Sequence, residues 1–464
     1  MTTETLTLPV AELTARYRSK ALSPAEVTEM HLERAEVVDA QLAAFQLLTP
    51  DLAREQARAS EARWRAGTPI GELDGVPVTI KDNFDIAGLP TRSGSRTTSD
   101  KPATDDMPSV ARLREAGAVF IGKTTTPEFA WKGITDSALR GITRNPWNPA
   151  HSPGGSSGGG AAALAAGVGA LALGNDGGGS IRIPASLSGL FGIKPTFGRV
   201  PHTQTGLFCT LASGGPIARS VADAAAMLQV LVRPDDRDYY AVPAPAPDWL
   251  GDLRAGIKGM RIGYSPALQG IEPSTEVSRT IARAIELARE LGAEVEDVGP
   301  VLEPLRPIFE EHWRAGFGAR LRDVPRDQWD LLDPGFRELA ESGLNVSGEA
   351  LNRAEIARAK LAERMAVFHR RYPILLTATT PVPAPRADIL YNGPDYDRWQ
   401  VAVPYTVPFN LTGQPAASLP CGLSASGLPI GLQVVGPRFA EDLVMRVSQA
   451  LESAIGFDTR PPQR

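Results

Sequence analysis

Two serines in this chain are set in glycine. Ser156 lies in His151-Ser-Pro-Gly-Gly-Ser156-Ser157-Gly-Gly-Gly, and Ser180 in Gly174-Asn-Asp176-Gly-Gly-Gly-Ser180-Ile-Arg182-Ile-Pro184. Flanking residues without a Cβ let backbone and ligand approach a hydroxyl closely, as attack by a serine nucleophile on a carbonyl requires. Upstream, the apolar run Gly75-Val-Pro-Val-Thr-Ile ends in Lys81-Asp82-Asn83. Burial at the end of such a strand disfavours an ammonium, so Lys81 can serve as a neutral base in a serine–lysine variant of the triad. The bare N–H groups of Gly177, Gly178 and Gly179 can line a concavity that holds an oxyanion. Nucleophile, base and oxyanion donors together point to amide-bond hydrolysis. Taken singly, the glycines read as a tight turn and Lys81 as the ion-pair partner of Asp82.

Other chemistries fit less well. Gly154-Gly155-Ser156-Ser157-Gly158 matches the G-x-S-x-G nucleophile elbow, but that fold needs an acid and then a histidine further along. His312 and His369 lie in charged helical runs and read as surface residues, and His202 is the remaining downstream histidine. With five histidines and two cysteines, none in ligand spacing, a metal site is not expected. No lysine follows the glycines of Gly177–Gly179, which excludes a P-loop, and Pro184 would interrupt the helix that a dinucleotide fingerprint needs. No cofactor is expected.

The elements that must position these residues are those of an α/β fold. Ser23-Pro24-Ala25-Glu26 reads as a helix start with a capping box, followed by apolar residues at Val27, Met30, Leu32, Ala35 and Val38. Asp51 to Ala66 is a second helical run, so residues 1–66 read as a helical lead-in. From Gly75, short β-branched runs alternate with helices: Val76–Ile80, a helix around Val110–Ala116, then Val119–Gly122. The glycine-rich stretch from Gly154 to Pro195 is read as a tightly packed Ala/Gly helix against the sheet rather than a linker. Pro243–Pro247 resembles a surface linker. Met260–Tyr264, Ile374–Thr377, Ala416–Leu419 and Pro429–Val435 read as strands, and Ser274–Leu291, Glu349–Arg371 and Glu441–Ala454 as helices. Leu302 to Gly348 is acidic and weakly periodic, with no clear element. The expected architecture is one domain over residues 1–464, an α/β sheet with helices on its faces.

Composition narrows the partners. With 48 basic and 53 acidic side chains the net charge is −5, without a basic block, so neither nucleic acid nor an anionic membrane surface is expected. Cys209 and Cys421 are too few for a disulfide framework. Met1-Thr-Thr-Glu-Thr-Leu does not read as a secretion signal, and the low-polarity stretch from Gly158 to Gly174 is too short to span a bilayer. A cytoplasmic enzyme with a small-molecule substrate is expected, with a homodimer left open.

The chain resembles the amidase signature family of serine hydrolases. The resemblance rests on Gly75-Val-Pro-Val-Thr-Ile-Lys81-Asp82-Asn83, Thr91-Arg-Ser-Gly-Ser95, Pro127-Glu128-Phe129, Arg144-Asn-Pro-Trp-Asn-Pro149, Gly154-Gly-Ser-Ser-Gly-Gly159, Gly178-Gly-Ser-Ile-Arg182, Gly192-Ile-Lys-Pro-Thr196 and Thr412-Gly-Gln-Pro415. It is weakest from Asp235 to Arg371, and it implies a large twisted mixed β-sheet with helices on both faces, a catalytic core at 67–230, a variable substrate-shaping region at 235–371 and the remaining sheet at 372–464. It implies a triad of Lys81, Ser156 in a cis peptide, and nucleophilic Ser180, with Ser156 relaying the proton to Lys81. It also implies an oxyanion hole from the N–H groups of Gly177, Gly178, Gly179 and Ser180, with Ser157, Asp176 and Arg182 in support. Amides, carbamates (as in a urethanase), esters and aryl acylamides are the implied substrates. A glutamine-hydrolysing amidotransferase subunit is the alternative within the family, and a catalytically silent binding protein is the alternative outside it. Phe129 and Trp131 are expected to shape the pocket. Two positions depart from the family pattern: Gly177 replaces a branched residue, which widens the carbonyl pocket, and Asn175 replaces threonine or serine.

Overall fold

In the computed structural model, which describes residues 4–202, 209–243, 248–389 and 403–461, the β-branched runs pair into one sheet of eleven strands. In spatial order these are β1 (Phe45–Leu48), β3 (Val119–Thr124), β2 (Pro77–Lys81), β6 (Leu171–Asp176), β8 (Ser213–Ala218), β7 (Phe191–Lys194), β12 (Ala416–Leu423), β13 (Pro429–Val435), β11 (Ile374–Ala378), β9 (Arg261–Tyr264) and β10 (Glu294–Asp297). β4 (Asp136–Ser137) and β5 (Gly141–Ile142) form a separate pair. The sheet is mixed: β2 runs parallel to β3 and β6, whereas β6 is antiparallel to β8. Ile80 stands opposite Leu173, so the C-terminal ends of β2 and β6 emerge side by side. Ligand sites of α/β sheets form outside such ends.

The lead-in contains α1 (Val10–Arg18), α2 (Pro24–Leu42) and α3 (Pro50–Ala66). The capping box is present, with Glu26 N–H donating to Ser23 Oγ and Ser23 N–H donating to the Glu26 carboxylate. The lead-in is not purely helical, however, because β1 pairs antiparallel with β3 at the edge of the sheet. Its four residues are too short a run to show a period against two long helices.

Helices cover both faces of the sheet. Helix α4 (Pro108–Glu115) precedes β3, as the sequence reading expected. On β6 the side chains alternate: Ala172 joins the cluster of Ala161, Leu164 and Ala165 from α5 (Gly158–Ala165), while Leu171 and Leu173 pack with Ala224, Met227 and Leu228 from α7 (Val221–Leu231). Between these two helices in the chain lies α6 (Arg182–Ser188). Helix α5 is buried along its whole length, as the Ala/Gly reading expected. Its glycines are there for fit: a Cβ on Gly159 would strike the Thr125 backbone and lie 2.6 Å from Ala44 O. Further along, α8 (Trp249–Asp252) is a single turn, and α9 (Thr275–Glu290) is the expected amphipathic helix, burying Val277, Ile281, Ile285 and Ala288.

Between Leu302 and Gly348 the structure has two helices that weak periodicity concealed, α10 (Arg306–Arg322) and α11 (Pro334–Gly343). They meet backbone to backbone, since a Cβ on Gly318 would run into Gly343 and one on Gly343 into Arg314. Contact through glycines writes no apolar stripe. The histidine readings are also corrected: the side chain of His312 is 7% exposed, and His369 is buried with Nδ1 2.9 Å from Tyr372 O. His369 lies in the last turn of α12 (Gly348–Arg371), on the side that buries Leu361 and Met365, while its neighbours Arg370 and Arg371 are exposed. Of the linker expected at Pro243–Pro247, residues 244–247 lie outside the described residues. No helix among the described residues is long and apolar enough to cross a membrane.

The close approach of α5 to β3 yields a first prediction. Gly159→Ala lowers stability by roughly 1–3 kcal/mol through overpacking, read as a lower thermal unfolding midpoint. Gly348→Ala, where an added Cβ meets nothing within 4 Å, leaves the midpoint unchanged or higher.

Candidate active site

Lys81 closes β2 and is fully buried. Its Nζ lies 2.7 Å from Ser156 Oγ and 2.7 Å from Asn175 Oδ1. Burial drives its pKa well below the ordinary lysine range, opposed by the charge of Asp176. Asp82 is not its ion-pair partner. Successive residues at a strand end point to opposite sides, and the Asp82 carboxylate sits 3.0 Å from Lys123 Nζ instead. The ion-pair reading of Lys81 is thereby set aside.

Ser156 is presented by a turn that glycine makes feasible. The Gly155–Ser156 peptide is cis, and a Cβ on Gly155 would lie 2.6 Å from Ile134 O. Thr135 Oγ1 donates to Gly154 O at 2.8 Å and fixes the entry to the turn. The exit is tied to the second serine loop: Ser157 N–H donates to Ser180 O at 3.1 Å, and Ser157 Oγ donates to Asn175 O at 3.3 Å. Ser157 thus joins the Ser156 turn to the segment that carries Ser180. Lys81 and Ser156 expose no surface, whereas Ser180 is 9% exposed and lines a cavity.

The glycine loop between β6 and α6 is built around one buried ion pair. Arg182 donates from Nε and Nη2 to the two oxygens of Asp176, each at 2.9 Å, with both side chains inaccessible. Burial alone would raise the Asp176 pKa; the charge and hydrogen bonds of Arg182, with a further bond from Asn410, hold it well below the carboxylate range. Asp176 also receives the N–H groups of Gly179 at 2.7 Å, Ile181 at 3.2 Å and Arg182 at 3.4 Å. The N–H of Gly179 is therefore engaged within the loop. Pro184 does not block a helix here. It falls in the first turn of α6, where its missing N–H has no intrahelical acceptor to satisfy.

Several residues of the site were not anticipated. Asn410 donates from Nδ2 to the Asp176 carboxylate at 2.9 Å and accepts from Arg182 at 2.7 Å. Thr406 Oγ1 donates to Gly178 O at 2.6 Å, while Arg182 Nη1 donates to Thr406 O and Gln433 Oε1, each at 2.8 Å. The signal nearest to them was Thr412-Gly-Gln-Pro415, which marks the segment without naming these residues. Trp131 lines the cavity beside Phe309, Trp313, Ile183 and Val403, with Lys132 at its edge. The Phe309 and Trp313 rings are 4.6 Å apart, and Phe309 lies directly over Gly178, leaving 3.1 Å to an added Cβ. Phe129 is not among the residues that line it; its ring packs on Phe336 at 5.2 Å and under the Arg320 guanidinium at 4.4 Å. Its left-handed backbone, φ 48°, turns the side chain away from the line that sequence adjacency to Trp131 suggests.

The aromatic wall is fastened to the core by charge. Lys132 Nζ sits 2.8 Å from Asp136 and 3.1 Å from Asp333, and Asp333 caps α11. Glu128 accepts from Ser95 Oγ and from Asp333 N–H, both at 2.6 Å, and burial lifts its pKa to about 7. Among the described residues, no three His, Cys, Asp or Glu side chains gather where they would hold a metal ion.

Breaking the central ion pair leaves a buried charge without its partner. Arg182→Met is expected to cost about 3–5 kcal/mol, seen as a lower urea midpoint.

The family model described as Amidase matches residues 26–445. The chain is 34% identical to an acylamidase of Rhodococcus erythropolis over 463 residues, covering 98% of this chain and 97% of that protein. It is 35% identical to a glutamyl-tRNA(Gln) amidotransferase subunit of Myxococcus xanthus over 481 residues, covering 98% of each. A bacterial aryl acylamidase of the amidase signature family superposes with a TM-score of 0.90 at 29% identity, over 97% of both chains. The chain belongs to the amidase signature family of amide-hydrolysing enzymes.

Proposed function

We propose that the protein hydrolyses the amide bond of a small molecule through an acyl-serine intermediate, with Ser180 as nucleophile, Ser156 as proton relay and Lys81 as base. The observation that carries this reading is the 2.7 Å separation of a fully buried lysine amine from a fully buried serine hydroxyl. An amine in that setting gains little by holding a proton, and the hydroxyl beside it is its route to the outside.

In the acylation step Ser180 Oγ bonds to the carbonyl carbon as its proton passes to Ser156 and the Ser156 proton passes to Lys81. The oxyanion is received by the N–H groups of Gly177, Gly178 and Ser180. Collapse breaks the carbon–nitrogen bond, and the proton returns from Lys81 through Ser156 to the departing amine. Water then repeats the sequence on the acyl-serine: it gives a proton to Lys81, attacks the carbonyl carbon, and frees the acid while Ser180 regains its proton. Carbamates and esters are open to the same steps.

Phe309, Trp313 and Trp131 make the pocket beside Ser180 aromatic, which favours substrates with an apolar or aryl group next to the scissile bond. Glutamine hydrolysis within an amidotransferase is the second reading, favoured by the 35% identity to the Myxococcus protein. The free ammonium and carboxylate of glutamine suit an aromatic wall poorly.

Two outcomes are expected from a panel of chromogenic anilides, carbamates and esters. Ser180→Ala loses turnover and labelling by a fluorophosphonate, while Ser156→Ala and Lys81→Ala retain labelling capacity at a reduced rate and lose about 10²–10⁴ in kcat/KM. Full turnover by Ser180→Ala would end the proposal, and glutaminase activity appearing only with added partner proteins would favour the second reading. The pH profile has a definite sign. A protonated lysine has no lone pair, so kcat/KM falls as pH drops through the Lys81 pKa and is retained above it. Because burial lowers that pKa, the acid limb lies below the ordinary lysine range.

A further inference from the structure

We propose that Asn175 is a positioning residue for the proton relay: its side-chain oxygen holds one N–H of Lys81 so that the amine's lone pair faces the Ser156 hydroxyl. The inference rests on the reading of Lys81 as base and adds the residue that aims it.

A neutral amine has two N–H bonds and one lone pair. Among the described residues, Lys81 Nζ hydrogen-bonds to Asn175 Oδ1 and Ser156 Oγ, each at 2.7 Å. An amide oxygen only accepts, so the Asn175 contact uses an N–H in either protonation state of the lysine. A serine hydroxyl both donates and accepts, so the lone pair can be met only on the Ser156 side. A hydroxyl at position 175 could itself donate to the lone pair and compete with Ser156; the amide oxygen cannot.

Asn175 is well placed to hold the arrangement. It is buried on β6, paired with Gly214 of β8, and its backbone oxygen receives Ser157 Oγ at 3.3 Å. One residue therefore touches the base and the neighbour of the relay serine. The charge acting on Lys81 is Asp176, on the same strand, and it is bound to Arg182; Asp82 on β2 is turned to Lys123.

The test is steady-state kinetics across pH on a chromogenic anilide for wild type, Asn175→Ala and Asn175→Asp, with thermal unfolding of each. A carboxylate at 175 stabilises the ammonium, so Asn175→Asp moves the acid limb of kcat/KM upward by about 1–3 pH units and recovers activity at high pH. Asn175→Ala releases the amine, lowering kcat on the order of 10-fold to 100-fold with KM little changed. A merely structural role would alter the unfolding midpoint without displacing the pH limb. An Asn175→Asp profile that superimposes on wild type overturns the inference; if that variant does not fold, wild-type kcat in Asn175→Ala overturns it. Ser180→Ala and Lys81→Ala run alongside separate the two levels: if they are inactive while the Asn175 variants match wild type, only the positioning role fails, whereas full turnover in Ser180→Ala removes the reading beneath it.

Discussion

The exclusion of water from the amine of Lys81 is the condition on which the rest of the site depends. In water a lysine is charged near neutral pH and has no lone pair to offer. Buried between β2, β6 and the start of α5, it is pushed toward its neutral form, and the surrounding structure must then give its N–H groups acceptors without giving it a full negative charge. An amide oxygen from Asn175 meets that need. Asp176, the nearby carboxylate, is neutralised by Arg182 before it can recharge the lysine.

That neutralisation has a second consequence. Asp176 collects the N–H groups of Gly179, Ile181 and Arg182, so the carboxylate that balances Arg182 also folds the glycine loop and starts α6. Arg182 in turn reaches Thr406, Asn410 and Gln433, which come from the last third of the chain. A buried guanidinium with several donors has to find acceptors for them, and here the search joins residues more than two hundred positions apart. The loop that carries Ser180 is therefore only as rigid as the packing of β13 and the segment around Thr406.

The aromatic wall answers to different rules. α10 and α11 touch through Gly318 and Gly343 and are pinned by Asp333 to Glu128 and Lys132, near the site. The residues proposed for catalysis are thus held by strands and a buried ion pair, while the aromatic wall is held by helices and carboxylates at its edge. Changes in α10 can reshape the pocket without disturbing Lys81.

What the sequence determined by itself is local. The glycines around Ser156 and before Ser180, an apolar run ending in Lys81, and a serine–proline–glutamate helix start each follow from the steric freedom or hydrogen-bonding habit of a few neighbouring residues, and all are legible in the linear order. The Ala/Gly helix was legible for the same reason. Only the tertiary structure decided what Lys81 faces, that Gly179 bonds inward, that Phe129 turns from the cavity while Phe309 and Trp313 arrive from far along the chain, that β1 closes the edge of the sheet, and that His369 is covered. Each of these depends on which distant atoms a side chain or peptide group meets, and burial, charge and hydrogen bonding act through space rather than along the chain.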